Sequence, residues 1–519
     1  MLAVLDRLSL AFGGVIDGLC DPKRQRRVAF ALVLAYAAAW FVYGVIAKSS
    51  QDINADMAEM VIWSREPAFG YPKHPPLLAY VVKLWFLIFP CADWAYLLLA
   101  AITVAAGIFL AFELGGLWLP REKRAAAPFL LALIPFYNFL GLKFDQNSAL
   151  IPLWALAILA FMHSLETRRT GWSVLTGLAA AAAMLTKYWS GFLLAAIGLT
   201  ALLDRRRGDY WRSSAPWIAA FVLIVAVLPH AIWIVHKNFL PFDWIATRRA
   251  AQSLTDLLRS LGEYTGGTIG YVAPALIAVA LMAHPSGPAV RDSWLPRDPA
   301  RRTPTVLFWT PILLPVAVAL AARINLLSLW SAPAFSLLPV MLLASPLVQL
   351  SRIAVLRLAA IVTLVTLLAL LASPFVALAI LKNGVENDAA YAKLAATAIE
   401  SEWRATTPAP LRLVAGRFAL ADAAAFYLSD RPSTYADFGS EFYTAASPDL
   451  SPWVNPERIA REGIAIVCGA DDKQCLGDQA RLAAAGPAGR RTETTLTRHW
   501  LGLAGAPQRF VIVTVPPRS

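Results

Sequence analysis

Apolar runs of roughly 18–25 residues recur along this 519-residue chain, and each is long enough to cross the roughly 30 Å hydrocarbon core of a bilayer as a helix. Nothing else in the sequence restricts the fold so strongly, because in lipid a helix satisfies its own backbone polar groups and an irregular segment does not. Counting two shorter ones, 171–186 and 189–203, and one longer one, 353–381, eleven candidate spans fall near 28–47, 93–117, 125–142, 148–165, 171–186, 189–203, 216–236, 266–283, 305–322, 327–346 and 353–381. Composition agrees: 58% of the residues are hydrophobic and 15% charged, against about 45–50% and about 25% in a soluble chain. The expected class is a polytopic membrane protein. The formal charge of +12 would elsewhere suggest nucleic acid. Here it is gathered in loops, so topology explains it and no nucleic-acid partner is expected.

The basic clusters are Lys23–Arg27, Arg121–Arg124, Arg168 with Arg169, Arg205–Arg207 with Arg212, and Arg291 to Arg302. Positive loops are retained in the cytoplasm. With the amino terminus inside, eleven spans put every one of these clusters there. Counting the shorter run 76–90 as a span would move all the later clusters outside, so 76–90 reads as a juxtamembrane or re-entrant helix. An odd number of spans leaves the tail outside.

From 383 to 519 the composition becomes polar and mixed in charge, with apolar strands at Leu411–Val414, Ile464–Val467 and Phe510–Val515 and helical stretches at Tyr391–Trp403 and Leu420–Leu428. The boundaries are therefore a transmembrane domain over 1–382 and an α/β domain over 383–519. Cys468 and Cys475 fall in the latter, flanking six residues. Outside the cytoplasm they can form a disulfide or remain two buried thiols, and their spacing fits no zinc knuckle.

The polar residues of chemical interest share one predicted side. The first outer loop, 51–77, holds Asp52, Asp56, Glu59 and Glu66 beside Arg65, Lys73 and His74. Asp56 and Glu59, three apart, share a helical face. The alternatives are a solvated loop or a working site. Asp145, in Lys143-Phe-Asp-Gln-Asn147, is either a helix cap or a second carboxylate of a site. Lys187, at the outer end of a span, is either a snorkelling interface lysine or a phosphate ligand. His230 and His236 lie at the end of the seventh run, Lys237, Arg248 and Arg249 follow it, and Arg323 lies in a later outer turn. The six-residue histidine spacing is not that of a helical zinc pair. Bases and cations gathered on one membrane surface suit a substrate whose leaving group is an anionic lipid phosphate.

Asp56-Met-Ala-Glu-Met-Val-Ile-Trp63-Ser-Arg65 followed by Gly70-Tyr-Pro-Lys-His-Pro-Pro-Leu77 resembles the first-loop signature of membrane glycosyltransferases with the GT-C fold. The superfamily is that of the dolichyl-phosphate-mannose protein mannosyltransferases. Within it the chain looks most like the bacterial lipopolysaccharide-core galacturonosyltransferase branch, related to the lipid A aminoarabinose transferase. Phe144-Asp145-Gln-Asn, Leu185-Thr-Lys187-Tyr188 and the turn from Leu228-Pro to Trp233 match later blocks.

The resemblance implies an all-α GT-C membrane domain with juxtamembrane helices in its first outer loop, plus an outer α/β domain. It implies an inner-membrane enzyme, amino terminus cytoplasmic and active site periplasmic. Such an enzyme moves a sugar from a polyprenyl-phosphate donor to an envelope glycan or lipid acceptor with inversion. Asp56 would be the base, with Asp145 and Glu59 as further carboxylates. Lys187, His74, Lys73, Arg248, Arg249 and Arg323 would bind the donor phosphate, and Tyr71, Tyr188, Trp63 and His230 would line the sugar or acceptor pocket. Met57 stands where the family usually has Glu, which leaves a divalent cation and its ligands open. The competing class is a lipid-linked-sugar flippase or small-solute transporter, which would carry its charges near mid-membrane on broken helices.

Overall fold

The computed structural model describes residues 12–384, 391–435, 451–484 and 489–518. Among them, seven helices are long and apolar enough to cross a membrane: Gln25–Ala47, Asp93–Gly115, Gln146–Thr167, Ala215–His236, Leu254–Ala283, Pro299–Ala322 and Arg352–Asn383. The other four apolar runs form shorter or broken elements for local reasons. Run 125–142 becomes the helix Ala127–Ala132 and two 3₁₀ turns, Pro135–Tyr137 and Leu140–Leu142. Pro128 and Pro135 each remove a backbone donor. Run 327–346 is a 3₁₀ stretch, Ser328–Leu337, with Pro333 inside it, and then the helix Leu338–Leu343. Most of these residues are buried inside the protein, where irregular backbone at membrane depth is tolerated. Thr170–Thr186 and Gly191–Leu203 are continuous but have 17 and 13 residues. Leu77–Ile88 has 12 residues, about 18 Å at 1.5 Å per residue. That falls short of a bilayer and agrees with a juxtamembrane helix.

The chain divides into two compact units. The first comprises Met1–Phe41, Leu98–Trp233 and Arg248–Leu370. Its core is one apolar cluster in which Phe112, Trp154, Phe161 and Phe335 are wholly buried. Small residues let its helices approach: Ala179, Ala180 and Ala183 of Thr170–Thr186 are buried, and Ser164 and Ser173 join hydroxyls at 2.9 Å. Small and hydroxylated residues at helix contacts are the usual glue in lipid.

The second unit comprises Val42–Leu97, Ile234–Thr247 and Leu371–Ser519. It joins the first outer loop to the carboxy-terminal residues. A five-stranded sheet runs in the order β2 (Ser433–Tyr435), β1 (Leu413–Gly416), β3 (Ile464–Gly469), β5 (Leu503–Val515) and β4 (Arg490–Trp500). The first three strands are parallel, and β5 is antiparallel to both β3 and β4. The helix Ala392–Thr406 covers the sheet through Ile399 and Trp403. Cys468 of β3 and Cys475 are joined in a disulfide. Of the apolar strand segments read from the sequence, Ile464–Val467 and Phe510–Val515 lie within β3 and β5, and Leu411–Val414 overlaps β1 at Leu413 and Val414. The other two strands escaped it: β2 is three residues long, and β4 is polar.

Candidate functional site

In the second unit the first outer loop is held from several sides. Asn54 caps the helix Ala55–Arg65 by accepting from the Asp56 amide at 3.0 Å. Asp56 thus sits in the first turn, where the helix dipole favours a carboxylate. Tyr96 Oη donates to the Met57 carbonyl at 2.9 Å. Further along, Trp63 and Tyr71 stack with ring centroids 4.7 Å apart, and Tyr71 Oη donates to the carbonyls of Trp63 and Glu66. Both rings are buried, so these two residues fix the shape of the loop. His74 lies beside Trp63, centroids 6.0 Å apart, and its carbonyl accepts from the Tyr71 amide. Lys73 and Glu59, expected as a phosphate ligand and a second carboxylate, are bonded to each other at 2.5 Å and buried. Lys73 Nζ also lies 4.3 Å from the centre of the Phe418 ring and 6.0 Å from that of Trp244.

The first unit holds the other expected residues. Asp145 is the N-cap of Gln146–Thr167 in a full capping box. Its Oδ1 accepts from the amides of Asn147 and Ser148, and Ser148 Oγ accepts from the Asp145 amide. The cap reading is therefore realised. Its Oδ2 lies 3.3 Å from Asn147 Nδ2 and 3.8 Å from Lys143 Nζ. Asn147 in turn accepts from Lys187 Nζ at 2.6 Å. Lys187 Nζ and the Arg249 guanidinium both lie on the Trp330 ring, 4.8 and 5.4 Å from its centre. Burial holds the Arg249 pKa below its usual value. A single bridge, Ala250 to Ile324, with bonds from Asn325 N to Arg249 O and Ala251 N to Arg323 O, joins the Arg248–Arg249 segment to Arg323. Tyr188 Oη meets His230 Nε2 at 3.0 Å, and the rings of Tyr188, His230 and Trp233 stack in succession. Asp56 and the Lys187 group thus belong to different units. Among the described residues, no three His, Cys, Asp or Glu side chains converge as a metal cage.

Residues 73–233 match the family described as dolichyl-phosphate-mannose-protein mannosyltransferase. The solved structure of ArnT from Cupriavidus metallidurans bound to undecaprenyl phosphate superposes with a TM-score of 0.60, covering 93% of this chain and 98% of that one at 14% identity. The chain has a GT-C fold. Two lipopolysaccharide core galacturonosyltransferases of Rhizobium johnstonii are similar in sequence. RgtA is 26% identical over 216 residues, 38% of this chain and 40% of that protein. RgtB is 27% identical over 236 residues, 43% and 45%. The matched stretch therefore spans less than half the length of each relative.

Two groups of this GT-C chain bring residues named in the first outer loop, Arg65 and Asp52, together with partners that the sequence did not indicate. The first is a buried polar cluster between the loop helix and the helix Phe418–Tyr427. Arg65 Nη1 donates to the carbonyls of Ala425 and Pro432 at 3.0 and 2.5 Å, and burial lowers the pKa of this guanidinium to about 10. Asp422, 2% exposed, accepts from Thr434 Oγ1 at 2.6 Å. Burial, reinforced by the nearby Glu59, raises its pKa to about 7. A lone Asp within Phe-Ala-Leu-Ala-Asp-Ala-Ala-Ala-Phe-Tyr was the available signal. The second is a cavity of about 280 Å³ flanking Asn54 and Met57, lined also by Lys48, Asp52, Asp93 and Lys393. Asp52 accepts from the Lys393 amide at 2.9 Å, and burial raises its pKa to about 6. Tyr427 Oη donates to Asp93 and accepts from the Ile53 amide.

Asp422 makes the stability of this unit depend on pH. Its folded value of about 7 lies above the roughly 3.9 of an unfolded Asp. Between those values the folded state holds more protons than the unfolded one, so stability falls as pH rises. It is fully present below about 4 and lost by about 7. Thermal unfolding in detergent at pH 5 and pH 7.5 should therefore show a loss at the higher pH that Asp422→Asn reduces. An equal slope in the variant would assign the pH dependence to other groups.

Proposed function

We propose that this protein is a glycosyltransferase that moves a sugar from a polyprenyl-phosphate donor to a hydroxyl of an envelope glycan or lipid, on the periplasmic face of the inner membrane and with inversion. The observation that carries the reading is the sharing of one indole, Trp330, by Lys187 and Arg249 in a chain with a GT-C fold. Two cations held against an aromatic ring, one of them bonded to a neutral amide, suit a leaving phosphate better than a proton donor would, since the polyprenyl phosphate monoester leaves as a stable, weakly basic anion. Backbone pairing of Arg249 and Ala251 with Asn325 and Arg323 brings the segments that carry Arg248 and Arg323 together. Asp145 acts through Asn147, which it orients towards Lys187. Tyr188 and His230 supply a flat stacked surface for a sugar ring.

The acceptor hydroxyl oxygen bonds to the anomeric carbon as the bond from that carbon to the phosphate oxygen breaks. The electron pair leaves on the polyprenyl phosphate, and the hydroxyl proton passes to the Asp56 carboxylate. Charge of oxocarbenium type develops at the anomeric carbon on the way, as in glycoside hydrolysis. One base and a set of cations suffice.

The experiment is mass spectrometry of envelope glycans from a deletion strain carrying wild-type or Lys187→Ala protein. The deletion should remove one sugar, wild type should restore it, and Lys187→Ala should restore it poorly. A charge-assisted contact to phosphate is worth about 1.5–3 kcal/mol, so the purified variant should use donor roughly tenfold to a hundredfold less well. An unchanged glycan profile in the deletion strain would reject the proposal. For orientation, a phosphatase fused after Ser519 should be active; an inactive fusion would put the tail and the first outer loop in the cytoplasm.

A further inference from the structure

The hairpin of β4 and β5 ends in a turn unlike those that usually close a solvent-facing hairpin. Trp500 pairs with Leu503, so the loop is the two residues Leu501 and Gly502, with φ of 48° and 81°. Positive φ at both central positions is the geometry that favours Asn-Gly, since Asn and Gly tolerate it at little steric cost. Here its first position is a leucine, 81% exposed, followed by Leu503 at 49%. A residue with a bulky apolar side chain thus occupies a conformation it disfavours, at a place where water would disfavour it again. Backbone outliers of this kind are informative about function when another observation agrees.

That observation is depth. Arg498 Nη2 donates to the carbonyls of Ile380 and Leu381, at the end of the helix Arg352–Asn383. On the returning strand, a Cβ placed at Gly505 would lie 3.2 Å from the same Leu381 carbonyl. Two residues nearer the tip, Trp500 Nε1 donates to Ser49 Oγ at 2.7 Å. Ser50, the next residue, donates to the Ala377 carbonyl. From Arg498 to Trp500 the hairpin therefore moves from the level of Leu381 to about that of Ala377, one helical turn back along the apolar helix, or about 6 Å. Leu501 lies beyond Trp500. At this level Phe375 is 73% exposed, as expected of a side chain that faces lipid. Tryptophan beside arginine, at the ends of spanning helices, is the composition of the membrane interface.

We infer that the β4–β5 hairpin tip, Trp500 to Leu503, inserts into the outer boundary of the lipid bilayer and anchors the carboxy-terminal residues to the membrane surface. The partner is the acyl–headgroup boundary itself. There a leucine at positive φ loses contact with water and the indole keeps its hydrogen bond to Ser49. The inference stands on the hairpin and the spanning helices, and does not depend on the reaction proposed above.

Spin labels test it directly. In a background with Cys20 and Cys91 changed to Ser, Leu501→Cys, Leu503→Cys and, as a control, Glu493→Cys would each be labelled and reconstituted into zwitterionic phospholipid bilayers. Glu493 is an exposed position on β4, well back from the tip. Labels at 501 and 503 should relax through dissolved oxygen more than through a water-soluble nickel chelate, and the label at 493 should show the reverse. Nickel dominating at 501 and 503 would overturn the inference, as would low access of both reagents there, which would mean a protein surface covers the tip. Circular dichroism would establish that each variant is folded.

Discussion

Asp56→Asn is expected to abolish sugar transfer while leaving expression and donor binding intact. The substitution keeps the shape of the side chain and removes the proton acceptor. Loss of a general base costs a factor of about 10² to 10⁴. The geometry gives Asp56 a defined place: it is the first acidic residue of a capped helix, set by Asn54 at one end and by the Tyr96 bond to Met57 one residue on. Single-turnover transfer by purified protein with a polyprenyl-phosphate sugar, beside a donor-binding measurement, separates the two roles. Wild-type turnover by Asp56→Asn would remove it from the chemistry. Weak donor binding with normal single-turnover chemistry would make it a binding residue instead.

The spanning helices were legible because lipid imposes one crude rule, a long apolar run, and Gln25–Ala47 and Arg352–Asn383 obey it. Runs 125–142 and 327–346 obey it too, yet prolines and burial inside the protein divide them into short turns. Hydropathy is blind to that, since lipid-facing and protein-facing leucines score alike. In the carboxy-terminal part, β1, β3 and β5 announced themselves by apolar residues. β4, Arg-Arg-Thr-Glu-Thr-Thr-Leu-Thr-Arg-His-Trp, did not, because an edge strand exposed along much of its length keeps polar side chains. The same limit applies to the site. Asp56, Asp145 and Lys187 were proposed from motif and from the side of the membrane that the topology reading assigns them. Asp145 carried two readings, and local geometry realised the cap. The partnership of Arg65 with Ala425 and Pro432 joins residues about 360 apart in the chain. It leaves no trace in any local period.

Breaking the buried ion pair between Glu59 and Lys73 should have the largest effect on stability. The two side chains are 8% and 10% exposed and lie 2.5 Å apart, so removing one partner leaves the other as an uncompensated charge away from water. That costs about 3–5 kcal/mol, whereas replacing both partners with apolar or neutral groups of similar size is often close to neutral. Lys73→Met should therefore lower the thermal unfolding temperature in detergent markedly, and Glu59→Gln should do the same. The double variant Glu59→Gln/Lys73→Met should recover most of the loss, a non-additivity expected of residues in direct contact. Lys73 also rests on the Phe418 ring, and Met keeps the apolar length needed to fill that contact. The cycle also tests what Glu59 is for. If Glu59 serves to hold Lys73 and the loop, the double variant should regain transfer along with stability. If Glu59 is instead the proton acceptor, the double variant should be stable and inactive, and the role assigned to Asp56 would pass to the residue one helical turn further along.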